Sequence, residues 1–315
     1  MRFAWVGVHA EGIPALEALL VAGVPMVGVL TLRPDLAARR SGAADYGPLC
    51  QAHGVPLHYV ANINDPGSVA LLRELAPDVV FVIGWHQVVR APALQLATMG
   101  MIGAHASLQP RYRSAPINWA LIRGERETGN SLLWLAEDLD AAELVDQRVI
   151  PITAYDTCAS LYQQVAATTR EMVLRLVPRL LAGERPVTPQ PRSGEPPLPR
   201  RRPADGVIDW THPSREVYDF VRALTRPYPG AFSRLDGQRW VVWSAALPPS
   251  PGPESGLAGR IVGPVVSPVR AACGLQVECG RGTVVLLELE DEQGVVLAGP
   301  DLSEQPWTGK RWADD

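Results

Sequence analysis

The chain of 315 residues carries 29 basic and 33 acidic side chains, a formal net charge of −4, and 47% hydrophobic residues. This composition excludes a disordered chain, and the acidic balance argues against a large nucleic acid as partner, because proteins that clamp one are more often basic. At roughly 100–200 residues per domain, the length predicts about two domains.

Cysteine usage and hydropathy bound the cellular setting. Four cysteines lie far apart without Cys-x-x-Cys spacing, and the histidines show no metal-ligand spacing. These patterns favour a reducing compartment and predict neither a disulfide framework nor a bound metal. No apolar run reaches the roughly 18 residues of a membrane span, and the N-terminal MRFAWVGVHAEG lacks the basic start of a secretion signal. We expect a cytoplasmic protein that does not bind membranes.

Short apolar runs alternate with helical patterns along the first half of the chain. The predicted strands are 2–8, 25–32, 57–60, 78–85, 101–107, 130–139 and 145–152. The predicted helices are 13–23, 65–76, 116–123 and 157–182. Because runs such as 78–85 are apolar on both faces, the sheet should be covered on both sides, which is typical of parallel strands with helical crossovers. Residues 1–185 are therefore predicted to form an α/β domain with a Rossmann-like, mostly parallel sheet flanked by helices.

The composition changes after this region. Residues 186–203 contain seven prolines in eighteen positions, which predicts an extended linker over 186–204. Its run of Arg200, Arg201 and Arg202 is either a solvated part of the linker or a contact for a phosphate.

Residues 205–315 have a different pattern. A helix near 213–224 is followed by strand patterns at 231–245, 260–265, 274–280 and 283–290, with a hairpin signal at Asp236-Gly237. We predict a small C-terminal OB-like β-barrel domain.

The loops that follow the predicted strands hold the candidate functional residues. His105 lies near the end of strand 101–107 beside Ser107, and acidic residues at 137–140 follow a neighbouring strand. A carboxylate aimed at an imidazole orients it for acid–base chemistry. A buried histidine with satisfied hydrogen bonds and a solvated acidic loop are the alternatives.

Two further loops bear on ligand binding. The segment GVHAEG (7–12) lacks the GxGxxG fingerprint, so NAD is not expected, and no ATP-binding P-loop is present. His9 in this loop either lines a cleft or has a structural role. Trp85, Val88 and Val89 could form the wall of a flat heteroaromatic pocket, although such side chains are more often plain core.

Taken together, a set of motifs in fixed order resembles the formyltransferase family that uses N10-formyltetrahydrofolate. These motifs are HASLQPRYR (105–113), APINWA (115–120), GE (124–125), TG (128–129), LD (139–140), RRPADGVIDW (201–210) and VRALTRPYPGAF (221–232). Within the family, DYG (45–47), PDVVF (77–81), VWS (242–244) and His9 are most similar to the branch that modifies UDP-4-amino-4-deoxy-L-arabinose. The tRNA-modifying branch fits less well.

The resemblance implies a fold, a reaction and a set of site residues. The fold would be the formyltransferase fold, and the reaction would move a formyl group from N10-formyltetrahydrofolate to the amine of a sugar nucleotide or aminosugar-like small molecule. His105 would handle the amine proton and help hold the oxyanion, and Asp140 would orient His105. The resemblance also implies folate-binding residues, which are Trp85, Gln87, Val88, Val89, Asp138 and Leu139. The residues implied for the acceptor are His9, Ser107, Arg113 and Ser114.

The sequence departs from the family pattern at one essential position. The family carries asparagine two residues before the histidine, and this chain has Gly103 there. Losing one oxyanion donor typically costs about 10²–10³ in rate. Either another amide replaces the lost one, with Asn130 and Gln109 as candidates, or the fold serves an altered acyl or one-carbon transfer, a hydrolysis, or binding without catalysis.

Overall fold

The computed structural model of the chain describes residues 1–109, 114–137, 142–188, 198–250 and 256–313. The chain divides into two compact units whose segments alternate along the sequence. Unit 1 comprises Met1–Arg113, Glu127–Pro151 and Leu161–Pro197, and unit 2 comprises Ser114–Arg126, Ile152–Ser160 and Leu198–Asp315. The domain boundaries predicted at 185 and 205 stay a prediction. Asp138, Leu139, Asp140 and Arg113 lie outside the described residues.

Helices and strands follow one another in the order expected of an α/β chain with a β-rich end. The strands are β1 Phe3–Val6, β2 Met26–Leu32, β3 Leu57–Val60, β4 Val79–Val82, β5 Gly100–His105, β6 Glu127–Trp134, β7 Glu143–Pro151, β8 Ala231–Leu235, β9 Gln238–Ala246, β10 Ile261–Val265, β11 Gly274–Glu278, β12 Thr283–Asp291 and β13 Val296–Ala298. The helices are α1 Ile13–Val21, α2 Pro34–Ala37, α3 Gly47–His53, α4 Pro66–Leu75, α5 Ala91–Leu94, α6 Pro116–Ile122, α7 Cys158–Leu181, α8 Ser214–Leu224 and α9 Pro300–Ser303.

The sheet of unit 1 has seven strands in the order β3-β2-β1-β4-β5-β6-β7. Strands β1 to β5 pair in parallel, which confirms the predicted mostly parallel sheet. Strands β6 and β7 differ from this pattern, because β6 runs antiparallel to both β5 and β7. The connection from β6 to β7 is too short for the crossover of a dozen or more residues that a parallel pair requires.

Side-chain alternation along β1 explains why both faces of this sheet are covered. Phe3 and Trp5 pack into one hydrophobic core with residues of α1 and α7, whereas Ala4 and Val6 pack into a second core with Leu72 of α4. Successive side chains of a strand point to opposite faces, so an uninterrupted apolar run needs helices on each side.

The order of the strands changes direction between β1 and β4. From β1 the chain continues to β2 and β3 on one side, and from β4 it continues to β5 on the other side. In open α/β sheets, ligands bind beyond the carboxyl ends of the strands at such a switch point.

The sheet of unit 2 is antiparallel. Its order is β10-β11-β12-β9-β8, and β13 pairs with β12. The predicted hairpin joins β8 to β9, with Asp236 at φ 51° and Gly237 at φ 81°, as its two-residue turn requires. This sheet confirms a second, β-rich region, and its OB-like closure into a barrel stays a prediction. Of the helices within the described ranges, none is long and apolar enough to span a membrane.

Candidate functional site

A cleft of about 190 Å³ opens in unit 1 where β4 and β5 end. Its lining comes from the ends of β4, β5 and β6 and from the loops that follow them. The lining residues are Val82, Trp85, His86, Gln87, Val88, Val89, Gly103, Ala104, His105, Gln109, Leu133, Leu135 and Ala136. The structure therefore brings His105 and Gln109 together with four residues predicted to bind the folate.

The segment 85–90, which we call the cleft wall, is fixed by side-chain amides. Gln87 accepts a hydrogen bond from the Ile63 N–H (2.9 Å) and donates one to the Ala61 carbonyl (3.0 Å). Asn64 donates to the Val88 carbonyl (2.8 Å) and accepts from the Arg90 N–H (2.8 Å). The amide of Gln87 is thus engaged with the loop after β3, and it positions the cleft wall.

The cleft wall combines apolar surface with one hydrogen-bond donor that has no acceptor. Val89 is buried, whereas the Val88 side chain is 61% exposed. The Trp85 indole Nε1–H is buried and has no hydrogen-bond partner among the residues that the structure describes. A flat ligand that carries an acceptor at its edge would complete this wall.

His105 ends β5, and a chain of hydrogen bonds holds the loop that follows it. The Ser107 N–H donates to the His105 carbonyl (2.8 Å), and the Ser131 hydroxyl donates to the Ser107 carbonyl (2.7 Å). Gln147 donates to the Ser131 hydroxyl (2.8 Å), and Gln109 donates to the Ser107 hydroxyl (3.2 Å). Ser107 is fully buried within this network. Ser107 holds the loop in place through these hydrogen bonds and does not line the cleft, although the sequence predicted that it binds the acceptor.

Asn130, one of the two amides predicted to replace the lost oxyanion donor, lies away from the cleft. It is fully buried on β6, and the two hydrogens of its Nδ2 are shared among three acceptors on α7, which are the Val165 carbonyl (3.1 Å) and the hydroxyls of Thr168 (3.1 Å) and Thr169 (2.7 Å). Leu133 of the same strand lines the cleft, and residues an odd number of positions apart on a strand face opposite sides of the sheet. The structure does not bring Asn130 to the cleft.

Gly103 lies in the floor of the cleft, and a neighbouring side chain fills the space next to it. A Cβ on residue 103 would be 2.6 Å from Cδ2 and 3.3 Å from Cγ of Leu135. The floor beside His105 is therefore apolar. Any side chain at position 103 would require Leu135 to move.

His9 lies after β1, beside the end of β4. The backbone N–H groups of Val8 and His9 both donate to the Gly84 carbonyl (3.3 and 3.2 Å). The His9 Nδ1 accepts from the Glu11 N–H (3.3 Å), and the Tyr162 ring lies 5.1 Å from the His9 ring between centroids. Burial lowers the pKa of His9 to about 4.

Two polar residues near the cleft, His86 and Glu11, were not predicted from the sequence. His86 lines the cleft, with its ring centroid 5.5 Å from that of Trp85. Glu11 lies against His9, and burial raises the pKa of its carboxyl to about 7. The only signal in the sequence for His86 and Glu11 is their position, since each follows a strand that ends at the switch point.

Ser114, which was predicted to bind the acceptor, belongs to unit 2. Within the described ranges, no group of three or more His, Cys, Asp or Glu residues could hold a metal ion.

Comparisons with known proteins identify the family. Residues 20–177 match the formyl transferase family, and residues 201–305 match the formyl transferase C-terminal domain. The chain is 35% identical over 294 residues to a methionyl-tRNA formyltransferase of Symbiobacterium thermophilum, covering 92% of this chain and 88% of that protein.

Solved structures share the fold at low identity. An N-formyltransferase from Helicobacter canadensis, in complex with folinic acid and dTDP-3-aminofucose, matches with a TM-score of 0.63 at 13% identity, covering 91% of this chain and 99% of that one. HypX from Aquifex aeolicus, in complex with tetrahydrofolic acid, matches with a TM-score of 0.63 at 17% identity over 95% of this chain. The chain spans 46% of that HypX chain, about half its length. With both domain matches and the 35% identical relative in agreement, the chain belongs to the formyl transferase family.

Proposed function

We propose that the protein transfers a formyl group from N10-formyltetrahydrofolate to the amine of a sugar nucleotide or aminosugar-like small molecule. The observation that carries this proposal is His105, which lines a cleft with an aromatic and aliphatic wall in a chain of the formyl transferase family. Two relatives of the same fold were crystallised with folates, and one of these also with an amino-sugar nucleotide.

The cleft residues fit a folate. Trp85, Val88 and Val89 would hold its flat ring system, and the unpaired Trp85 Nε1–H would donate to an acceptor on the ring edge. The cavity is smaller than the roughly 300–1,000 Å³ typical of sites that enclose a whole drug-sized ligand. It therefore suits one ring system, with the rest of the ligand outside the described cavity. When bound, the folate supplies a formyl carbon that an amine can attack.

His105 is the residue that handles the proton in this proposal. Its backbone is fixed by Ser107, which in turn is held by Ser131 and Gln109, so the imidazole is presented from a rigid strand end. A positioned imidazole that accepts a proton from the attacking amine contributes typically about 10²–10⁴ in rate. By family resemblance, Asp140 orients this imidazole.

The negative charge that develops on the formyl oxygen needs a donor other than residue 103. Of the two amides considered, Asn130 is engaged with α7, and Gln109 lines the cleft. We therefore assign the donor role to the Gln109 Nε2, which would exchange its bond to the Ser107 hydroxyl for one to the formyl oxygen.

A formyl-transfer assay tests the proposal. The purified protein is incubated with 10-formyltetrahydrofolate and a panel of amino-sugar nucleotides and free amino sugars, and both tetrahydrofolate release and the formylated product are measured. We expect turnover with at least one amine and its loss in His105→Ala. Folate binding without transfer to any amine would favour an altered reaction or a non-catalytic binder, which the apolar contact of Gly103 with Leu135 would then explain.

Methionyl-tRNA is the second candidate acceptor. The 35% identical relative favours it, and the net charge of −4 argues against it. Adding charged methionyl-tRNA to the same panel separates the two candidates. Formylation of the tRNA at a higher kcat/KM than any small amine would replace the small-molecule proposal.

A further inference from the structure

Side chains from two different loops hold the end of the cleft wall. Asn64, in the loop after β3, accepts the N–H of Arg90 (2.8 Å), and Glu137, in the loop after β6, accepts the next N–H, that of Ala91 (2.6 Å). In the sheet, β4 lies between β3 and β6. The cleft wall, which follows β4, is therefore tied to a neighbouring loop on each of its two sides.

Glu137 directly follows the two residues by which the loop after β6 lines the cleft. The Leu135 N–H donates to the Met101 carbonyl of β5 (2.8 Å), so Leu135 continues the pairing of the strands. Leu135 and Ala136 both line the cleft, and we call this pair the opposite rim. The bond from Ala91 to Glu137 thus joins the end of the cleft wall to the end of the opposite rim.

This bond completes a closed ring of connections around the cleft. The sheet joins β4 to β5 and β5 to β6, the cleft wall continues from β4, and the opposite rim continues from β6. The Glu137 carboxylate closes the ring on the side away from the sheet. Since the wall and the rim are each fixed at both ends, the width of the cleft between Val88 and Val89 on one side and the opposite rim on the other is fixed as well.

A carboxylate is well suited to this bond. α5 begins at Ala91, and the first N–H groups of a helix have no partner within the helix. The N-cap residue, Arg90, makes no side-chain capping bond within the described residues, so Glu137 supplies the acceptor that the Ala91 N–H needs. Hydrogen bonds from an N–H to an ionised carboxylate are shorter than neutral ones and roughly twice as strong.

Glu137 makes this bond without packing into a core and without lining the cleft. The residue is exposed, and the cavity is lined by its neighbours in the opposite rim. Removing the side chain therefore leaves no buried cavity and takes away no direct contact to a ligand in the cleft. Its loss should change the geometry of the cleft more than the stability of the fold.

We propose that Glu137 is a positioning residue for the folate, whose bond to the Ala91 N–H holds the cleft wall and the opposite rim at the separation that accepts the flat ring system. Side chains that contact a ligand depend on such supporting hydrogen bonds for their exact placement. This inference rests on the proposed function, because it names a residue that shapes the donor site of that reaction. Glu137 acts through Ala91 and contacts neither the folate nor the acceptor.

Hydrogen exchange tests the bond itself. Exchange of the Ala91 amide is followed by mass spectrometry at residue resolution in the full-length protein, without ligand. We expect this amide to be protected in wild type and to exchange about tenfold or more faster in Glu137→Ala, because the acceptor is lost. Glu17→Ala, at an exposed position of α1, is the matched control and should leave the Ala91 amide protected. Equally fast exchange in wild type and Glu137→Ala would overturn the inference.

A folate-binding test separates positioning from a general structural role. Isothermal titration with 5-formyltetrahydrofolate, well below the thermal midpoint of each variant, should give an affinity about threefold to tenfold lower in Glu137→Ala than in wild type. Glu137→Gln keeps an acceptor oxygen for the Ala91 N–H and should recover most of this loss, and Glu17→Ala should bind like wild type. In the transfer assay, Glu137→Ala should raise the donor KM and leave kcat at saturating folate near that of wild type.

The outcomes distinguish this inference from the proposed function. Wild-type folate affinity in Glu137→Ala, or a loss of affinity that Glu137→Gln does not recover, would contradict the positioning role and leave the function standing. A loss that Glu137→Gln does recover, without formylation of any amine by the wild-type protein, would overturn the function and leave the positioning role. A wild-type protein that binds no folate would overturn both.

Discussion

The side chain of Leu135 fills the space beside Gly103, so that a Cβ on residue 103 would lie 2.6 Å from Leu135 Cδ2. The two residues thus behave as a pair, in which the missing side chain of one gives room to the other. The floor of the cleft owes its apolar character to both.

Gly103→Asn alone should destabilise the protein by about 1–3 kcal/mol, because the amide and Leu135 compete for one space. In the double variant Gly103→Asn/Leu135→Ala we expect recovered stability and a faster formyl transfer than in wild type. Thermal unfolding and the transfer assay provide the two readouts. Leu135→Ala alone is the control, and an equal rate gain in this single variant would contradict a donor role for the new amide.

His105→Ala should lower the rate of transfer by about 10²–10⁴ while leaving the affinity for 5-formyltetrahydrofolate within a few-fold, because the imidazole acts on the amine proton. His53→Ala, at an exposed position of α3, is the matched control and should leave both quantities unchanged. If His105→Ala instead lost affinity for the folate but turned over bound donor at the wild-type rate, His105 would bind the folate and would not transfer the proton.

Asn130→Ala should cost about 1–3 kcal/mol of stability, because the bonds to Val165, Thr168 and Thr169 are lost inside the core. The transfer rate per folded molecule should stay near that of wild type. Denaturant unfolding and active-site titration measure the two effects. A rate loss of about 10² or more without destabilisation would show that the Asn130 amide reaches the reacting group after all.

Trp85→Phe keeps an aromatic ring in the cleft wall and removes the unpaired Nε1–H donor. We expect folate affinity to fall by about threefold to tenfold, as for one lost neutral hydrogen bond, and stability to stay level or rise. Isothermal titration with 5-formyltetrahydrofolate measures the change. An unaltered affinity would mean that the ligand leaves this donor unpaired.

The raised pKa of Glu11 predicts how stability depends on pH. An acid whose pKa is higher in the folded state, about 7, than in the unfolded state, 4.5, binds its proton more tightly when folded. Its contribution is complete below pH 4.5, declines as the pH rises toward 7, and stays constant above, a total of about 3 kcal/mol. The stability of wild type relative to Glu11→Gln should therefore fall across this window, as measured by denaturant unfolding at several pH values.

His9 acts in the opposite direction. Its pKa is lowered from 6.5 to about 4, so its contribution is complete above pH 6.5 and is lost as the pH falls toward 4. Because both proteins contain His9, the difference between wild type and Glu11→Gln isolates Glu11. A difference that does not vary with pH would contradict the burial of its carboxyl group.

Much of the fold of unit 1 follows from the sequence because its signals are local. The apolar run at Phe3–Val6 has to bury both faces, and this need alone predicts a parallel sheet between helices. The direction of β6 is not encoded in such a pattern, since a strand buried on both faces reads the same either way. The seven-residue helix α3, Gly47–His53, escaped prediction because it is too short to show an apolar period.

The candidate site was predictable only in part, for a related reason. His105 ends β5 and Trp85 follows β4, at the carboxyl edge of the sheet where the sequence predicts functional residues, and both line the cleft. The side of the sheet that Asn130 faces could not be read from β6, whose residues 128–134 are all buried. The contacts of Leu135 with Gly103 and of Glu11 with His9 depend on tertiary packing, which spacing does not reveal.

The hydrogen bonds of Gln87 and Asn64 have a thermodynamic consequence for ligand binding. Because these amides tie the cleft wall to the loop after β3, the wall loses its conformational freedom when the chain folds and not when a ligand arrives. A preorganised wall binds with a smaller entropic penalty. Affinity for the ligand thus depends on residues 61–64, which lie outside the cleft, and a change there would weaken binding without removing a single contact to the ligand.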